Sequence, residues 1–439
     1  MIFYYVENSK VHIADLDNKH NLIIDNNDDL DQYINRKGSE IWITYDQADY
    51  FKKVVTVYDC KDDYSIEYKM NSYGVKTKLE AVIETFFENI DTFKCKLALI
   101  NEFSLPKYLL NSTIARITAY AIGGTPDIKN EFNFKVLDIL FKYTEIKKFF
   151  DTNQSYNQKF RTKVAGVEHV YGYGGCHGAR KGYVSTNKIA VIDVETFYPA
   201  LLQKLGYFNI KNKSRAKYIH EQNIKLKGKP ERLPYKLADN SIVGNFKNQY
   251  SELHNPRASN IICVNGQLLI TALIEMLEPF CKLVQTNTDG IIVEYTDLDK
   301  IEDVCQRWER ATGLNLGIEC YKKIYQKDVN NYLLVGRKIK VVGELKECSE
   351  GNYTENIIRR SMRAYLLDKV HPVKTVNECN EKRDFQILAK PHYKVYANLY
   401  GRRIKNVFSY EVSEDFKFLD KKHYSDIAVR RLKKYGVTI

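Results

Sequence analysis

Asp193-Val194-Glu195-Thr196-Phe197-Tyr198-Pro199-Ala200 is the stretch on which the reading of this chain turns. The four residues before it, Ile189-Ala190-Val191-Ile192, are uninterruptedly apolar, the pattern of a strand buried on both faces. Tyr198–Leu205 then resumes at helical spacing, so a buried strand ends in a carboxylate and turns into a helix. Further on, Lys236-Leu-Ala-Asp-Asn240-Ser241-Ile-Val-Gly244 reads as helix, with Lys236 and Asn240 four apart on one face. Lys282–Gln285 and Ile291–Tyr295 flank Asn287-Thr288-Asp289-Gly290, which predicts a hairpin with an acid at its tip. The central order of strand, helices and acidic hairpin is α+β and not doubly wound.

Alone, an acid after a strand reads as a helix cap, and Asn-Thr-Asp-Gly as a turn. Together they put carboxylates at the ends of two strands, where they repel unless a cation bridges them. Such a pair suits two-metal phosphoryl transfer, with basic residues on a facing helix to neutralise a triphosphate. The glycine cluster Tyr171–Gly178 is no dinucleotide fingerprint, because its third glycine is misplaced and no strand-turn-helix frames it. His177 within it reads as structural. Walker, HExxH and GxSxG motifs are absent.

The composition agrees with a folded, soluble chain: 439 residues, 44% hydrophobic and 28% charged, enough for two to four domains. No apolar run approaches membrane-spanning length and the first residues lack a signal-peptide pattern, so the expected location is cytoplasmic. Nine cysteines without a CxxC pair read as reduced thiols and not as a zinc site. The net charge is +12 but unevenly spread. Residues 1–60 carry eleven acidic and six basic side chains, whereas 211–236 carry nine basic and two acidic. The stretch 401–439 holds ten basic and five acidic residues, and such blocks point to a polyanionic partner.

Asp193–Ala200 resembles motif A (DxxSLYPS) of the family B DNA polymerases, with Asp193, Tyr198 and Pro199 matching. Lys236–Gly244 resembles motif B (KxxxNSxYG) at Lys236, Asn240, Ser241 and Gly244. Gln285–Gly290 resembles motif C (YxDTDS) in a form that compact phage-encoded members use. Gly174-Gly175-Cys-His-Gly178 is similar to the glycine element before motif A that touches the template. The resemblance covers roughly residues 165–345. It departs at Val243, where the family has Tyr, and at Asn287, where it has the first motif C Asp.

That resemblance implies a right-hand polymerase with palm, short fingers and thumb, behind an RNase H-like exonuclease-type domain. The N-terminal match is degenerate. Tyr5 stands where the first exonuclease Asp belongs, in Tyr4-Tyr5-Val6-Glu7. Asp46 and Phe51 stand at the Asn and acid of the second motif, and no third motif is evident. The domains expected are 1–150 (exonuclease-like, without its metal site), 151–210 (palm with motif A), 211–245 (fingers), 246–335 (palm with motif C) and 336–439 (thumb and duplex binding).

The function implied is template-directed addition of dNTPs to a primer 3′-hydroxyl, without proofreading. Asp193 and Asp289 are the implied catalytic acids, holding two Mg²⁺ ions (or Mn²⁺) with the Val194 carbonyl. Tyr198 resembles the gate against a ribose 2′-hydroxyl, and Arg215, Lys236 and Asn240 are implied to meet the nucleotide. Gly174, Gly175, Tyr332, Lys338, Lys340, Arg402 and Arg403 are candidates for nucleic-acid contact. Only 43 residues separate Asp193 from Lys236 and 45 separate Gly244 from Asp289, leaving little space for protein-priming insertions. The partners expected are primer-template DNA and dNTPs, with no membrane, for a monomer in the cytoplasm (of the host, if phage-encoded). The alternatives are an idle nucleic-acid-binding protein, or a nucleotidyltransferase that is template-independent or copies RNA.

Overall fold

Ile2, Phe3 and Tyr4 at the start of the first strand are all fully buried, so both faces of that strand are covered. In the computed structural model, which describes residues 1–128, 142–152, 158–348, 354–389, 394–405 and 418–439, the chain divides into two units. The first comprises Met1–Ala121, Glu347–Ile358 and Asn377–Tyr424; the second comprises Ile122–Lys346, Arg359–Val376 and Ser425–Ile439. Residues 336–439, read from the sequence as one thumb region, are distributed over both.

The first unit contains β1 (Ile2–Glu7), β2 (Lys10–Asp15), β3 (His20–Ile24), β4 (Ile41–Thr44) and β5 (Thr56–Asp59), in the order β3-β2-β1-β4-β5. β1 runs antiparallel to β2 and parallel to β4, and β4 runs parallel to β5. Ile2 and Tyr4 join Leu30, Tyr33, Trp42 and Phe51 in a core on one face. Phe3 points the other way, its ring 5.3 Å from Phe86 on the helix Lys78–Glu88. That helix starts on a reciprocal Thr77–Glu80 capping box. Residues 134–147, whose apolar spacing in the sequence predicts a helix, lie mostly outside the described residues.

The second unit is built on a seven-stranded sheet. Its strands are β6 (Phe160–Val164), β7 (Val167–Tyr171), β8 (His177–Ala179), β10 (Lys188–Val194), β11 (Cys281–Asn287), β12 (Gly290–Tyr295) and β13 (Leu316–Tyr321), ordered β13-β10-β12-β11-β8-β7-β6. A four-stranded sheet, β16-β15-β14-β9, is formed by β9 (Tyr183–Val184), β14 (Lys323–Asp328), β15 (Asn331–Val335) and β16 (Ile339–Val342). Ile189, Val191, Val284 and Ile292 pack with Ile324, Tyr332 and Leu334 between the two sheets.

Five helices matter for the site: α1 (Phe197–Leu205), α2 (Lys213–Lys225), α3 (Arg232–Lys247), α4 (Pro256–Leu277) and α5 (Leu298–Thr312). α4 has its plainest apolar helical spacing over Gln267–Leu277. It begins eleven residues earlier because Asn255 caps it through the Ala258 N–H and Pro256 opens its first turn. α4 is long and apolar enough to cross a membrane, yet 89% of its apolar window is buried inside the fold. Its length reflects a core helix walled in by its own chain.

One buried acid fastens the loop before β10. Glu294, on β12 and 4% exposed, accepts from the Thr186 N–H (2.9 Å), the Thr186 hydroxyl (2.8 Å) and the Asn187 N–H (2.6 Å). The Tyr183 hydroxyl donates to its other oxygen. Burial pushes this carboxyl up, but the four donors outweigh it and hold the pKa at about 2. The stability it contributes is therefore present above the ordinary glutamate range and is lost as the pH falls toward 2. Glu294→Gln is expected to cost about 2 kcal/mol in denaturant melts at pH 7, with the deficit shrinking steadily below pH 4.5.

Candidate functional site

The hairpin register brings two acids together. β10 pairs antiparallel with β12 so that Asp193 lies opposite Gly290, and Asn287 pairs with Gly290 across the β11–β12 turn. The Val194 N–H donates to the Asp289 carbonyl at 2.8 Å, locking the two acidic positions side by side. A Cβ on Gly290 would sit 2.1 Å from Asp193 Oδ1 and 2.7 Å from the Ile192 carbonyl oxygen. Only glycine leaves the Asp193 carboxylate room to lie across the neighbouring strand.

Asp193 shares its strand face with Ile189 and Val191, at the end where the four-stranded sheet stops covering it. Burial, then Asp289, then Glu319 push its pKa up to about 6, against an opposing pull from Lys340. Glu319 comes from β13, opposite Val191 of β10. Two carboxylates held together without enough local positive charge form a site that favours a cation. Among the described residues no three His, Cys, Asp or Glu side chains cluster to hold a metal. A cation held here would find the two carboxylates and backbone oxygens such as that of Val194 as donors. This set suits Mg²⁺, which takes one or two carboxylates and fills its shell with water and substrate phosphate.

The turn from β10 into α1 is strained. Thr196 caps α1 in the left-handed region (φ 47°, ψ 42°), uncommon for a β-branched residue and of the kind that collects at functional sites. It places Tyr198 against Phe197 (ring centroids 5.6 Å apart), with the Tyr198 hydroxyl 3.3 Å from the Gly174 carbonyl to which it donates. Gly266 of α4 backs this pair, since a Cβ there would come 3.0 Å from Tyr198 Cε1. Gly175 packs on the hairpin turn, where a Cβ would meet Thr288 Oγ1 at 2.7 Å.

A cavity of about 310 Å³ opens over these elements. Val194, Tyr198 and Asp289 line one side of it, and Lys236 and Asn240 of α3 the other. Five of the residues singled out in the sequence thus share one wall-to-wall space. Arg215 is not among the lining residues; it sits in the first turn of α2, where its N–H binds the Asn212 cap. Arg232 reaches the cavity instead, four residues before Lys236, so that α3 presents Arg232, Lys236 and Asn240 as a single stripe. Lys227, on the loop between α2 and α3, pairs with Glu195 two residues beyond Asp193.

The other expected contacts divide. Gly175 borders the hairpin turn and the Gly174 carbonyl accepts from Tyr198, as described. Tyr332 is a buried core residue whose pKa is raised by burial and by the charges of Asp193 and Asp289. Lys338 is exposed between β15 and β16, whereas Lys340 lies within electrostatic reach of Asp193. Arg402 and Arg403 are exposed and belong to the first unit, on the strand Arg402–Lys405. Burial holds His177 below the ordinary imidazole range, despite its bond to Asn287 and the nearby Asp289 charge. Asn287 also accepts from the Thr288 N–H at 2.9 Å, bracing the turn. Val243 is buried in α3.

In the first unit, the residues aligned with the exonuclease motifs are occupied by the chain itself. Lys78 pairs with Glu7 at 3.0 Å and lies 5.5 Å from the Tyr5 ring centroid. Lys61 pairs with Asp46 at 2.7 Å, and Phe51 is buried in the core.

Comparison with known proteins finds no matching family model and no match among curated proteins. Among solved structures, the family B DNA polymerase of the hyperthermophilic archaeon Pyrobaculum calidifontis aligns with a TM-score of 0.51 at 8% identity. The alignment covers 100% of this chain and 78% of that one. The chain is thus similar in fold to a family B DNA polymerase.

Proposed function

We propose that this chain is a template-directed DNA polymerase that extends a primer 3′-hydroxyl with dNTPs. One observation carries the reading: the cavity sets Asp289, locked beside Asp193, across from the Arg232–Lys236–Asn240 stripe of α3. The similarity in fold to a family B polymerase supports it.

Asp193, Asp289 and the Val194 carbonyl would hold Mg²⁺. A metal held by these groups would supply a lowered pKa for the attacking hydroxyl and a counter-charge for the leaving pyrophosphate. In the overall change a bond forms between the primer 3′-oxygen and the α-phosphorus, the bond to pyrophosphate breaks, and the hydroxyl proton passes to solvent. Lys236 and Arg232 face the triphosphate as fixed cations, and Asn240 orients it by hydrogen bonding. Tyr198, braced from behind by Gly266, floors the sugar pocket. Tyr198→Ala is expected to cut discrimination against ribonucleotides by about tenfold or more, measured as the ratio of kcat/KM for dNTP and rNTP.

Lys338 is positioned to meet the phosphate backbone of the duplex, with Lys340 nearer the acids; Arg402 and Arg403 are separate basic positions on the first unit. The first unit is read as an RNase H-like module without a nuclease centre. Its strand order supports that reading, as do the lysines paired to Glu7 and Asp46. Primer extension on DNA and RNA templates, with and without primer, tests the function. Extension on primed DNA with no 3′→5′ degradation is expected; primer-independent synthesis, or no synthesis, would overturn it.

A further inference from the structure

The α2–α3 hairpin contains a buried chain of hydrogen-bonded polar side chains. Asp239 of α3 is 1% exposed, lies seven residues after Arg232 on the same side of the helix, and meets α2. One of its oxygens, Oδ2, takes His220 Nδ1 at 2.8 Å and the Asn223 Nδ2 donor at 2.8 Å. His220 and Asn223 are 6% and 0% exposed. Asn223 is thereby fixed, and its backbone and side-chain oxygens both accept from Arg232 Nε at 2.9 Å. Asn223 and Arg232 line the same cavity as Lys236, Asn240 and Asp289.

Burying a carboxylate is compensated only by good hydrogen bonds, and well-packed apolar side chains commonly do as well or better for stability. What the chain gains here is direction. A guanidinium is planar, so anchoring Nε fixes the plane of the whole fork. The two terminal nitrogens of Arg232 have no hydrogen bond or ion pair among the described residues. They remain available to grip two oxygens of one phosphate group.

We infer that Asp239 is a positioning residue that, through Asn223, fixes the guanidinium of Arg232 for a nucleoside triphosphate. The inference rests on the nucleotide-binding reading of this cavity. It separates geometry from charge, because Asp239→Asn keeps an oxygen able to accept both bonds whereas Asp239→Ala removes them.

Calorimetric binding of dTTP with Mg²⁺ to the full chain tests it. Asp239→Ala and Arg232→Lys are each expected to weaken binding about tenfold, and Asp239→Asn by no more than about twofold. The double variant Arg232→Lys/Asp239→Ala should bind no more weakly than Arg232→Lys alone, since the relay then has nothing to aim. Should Asp239→Ala not fold, Asn223→Ala takes its place with the same expectations. Wild-type binding with fully additive losses, or with Asp239→Ala unaffected, overturns the positioning role. Failure of the wild-type chain to bind dTTP overturns the nucleotide reading itself, and the inference with it.

Discussion

Replacing either Asp193 or Asp289 with Asn is expected to lower nucleotide incorporation by about 10³-fold or more, while the chain still folds. The two positions are adjacent through the Asp193–Gly290 register and the Val194–Asp289 hydrogen bond, neither of which uses the carboxylates. Asparagine keeps the shape and removes the charge that would hold Mg²⁺. Stability should move the other way at position 193. Burial and the neighbouring acids raise the Asp193 pKa from 3.8 to about 6, so the folded chain binds its proton more tightly than the unfolded chain does. The ionised carboxylate therefore destabilises the metal-free fold fully above pH 6 and not at all below the ordinary aspartate range. Asp193→Asn should raise Tm at pH 8, with the gain fading between pH 6 and 4. A variant that is inactive and less stable at pH 8 would mean that Asp193 is a structural cap.

Gly290→Ala is expected to be nearly as damaging, by a different route. The added Cβ would need to occupy space 2.1 Å from Asp193 Oδ1 and 2.7 Å from the Ile192 carbonyl oxygen. Either the carboxylate rotates away or the β10–β12 ladder opens, and displacement of a reacting group by about 1 Å can cost 10²-fold in rate. Overpacking of this kind also costs about 1–3 kcal/mol of stability. In an Asp193→Ala background the Oδ1 clash is gone, so denaturant melts should show a smaller loss from Gly290→Ala there. Equal losses in both backgrounds would show that Gly290 serves the ladder alone and not the placement of the acid.

Local signals carried much of this architecture. The apolar run Ile189–Ile192 and the Asn-Thr-Asp-Gly turn each specify their own geometry, so β10 and the β11–β12 hairpin were legible, as was the shared face of Lys236 and Asn240. Which of the other eight basic residues in 211–236 joins Lys236 at the cavity was not legible. That depends on how α2 docks on α3, which turns Arg232 inward and leaves Arg215 in a capped first turn. The i, i+4 spacing of Arg232 and Lys236 was the available clue. Glu319 and Lys340 reach the neighbourhood of Asp193 from strands more than 120 residues away in sequence, through pairings that no local pattern encodes. Thr196 gives no sequence sign of its left-handed backbone, which the strand-to-helix turn imposes.

Single-nucleotide incorporation bears most directly on template-directed synthesis. A primed DNA template with each of the four bases at the first unpaired position is offered each dNTP separately with Mg²⁺. The expected result is addition of one nucleotide, only when it complements the template base, and loss of that addition in Asp289→Asn. Addition regardless of the template base, or undiminished addition by Asp289→Asn, would contradict the account.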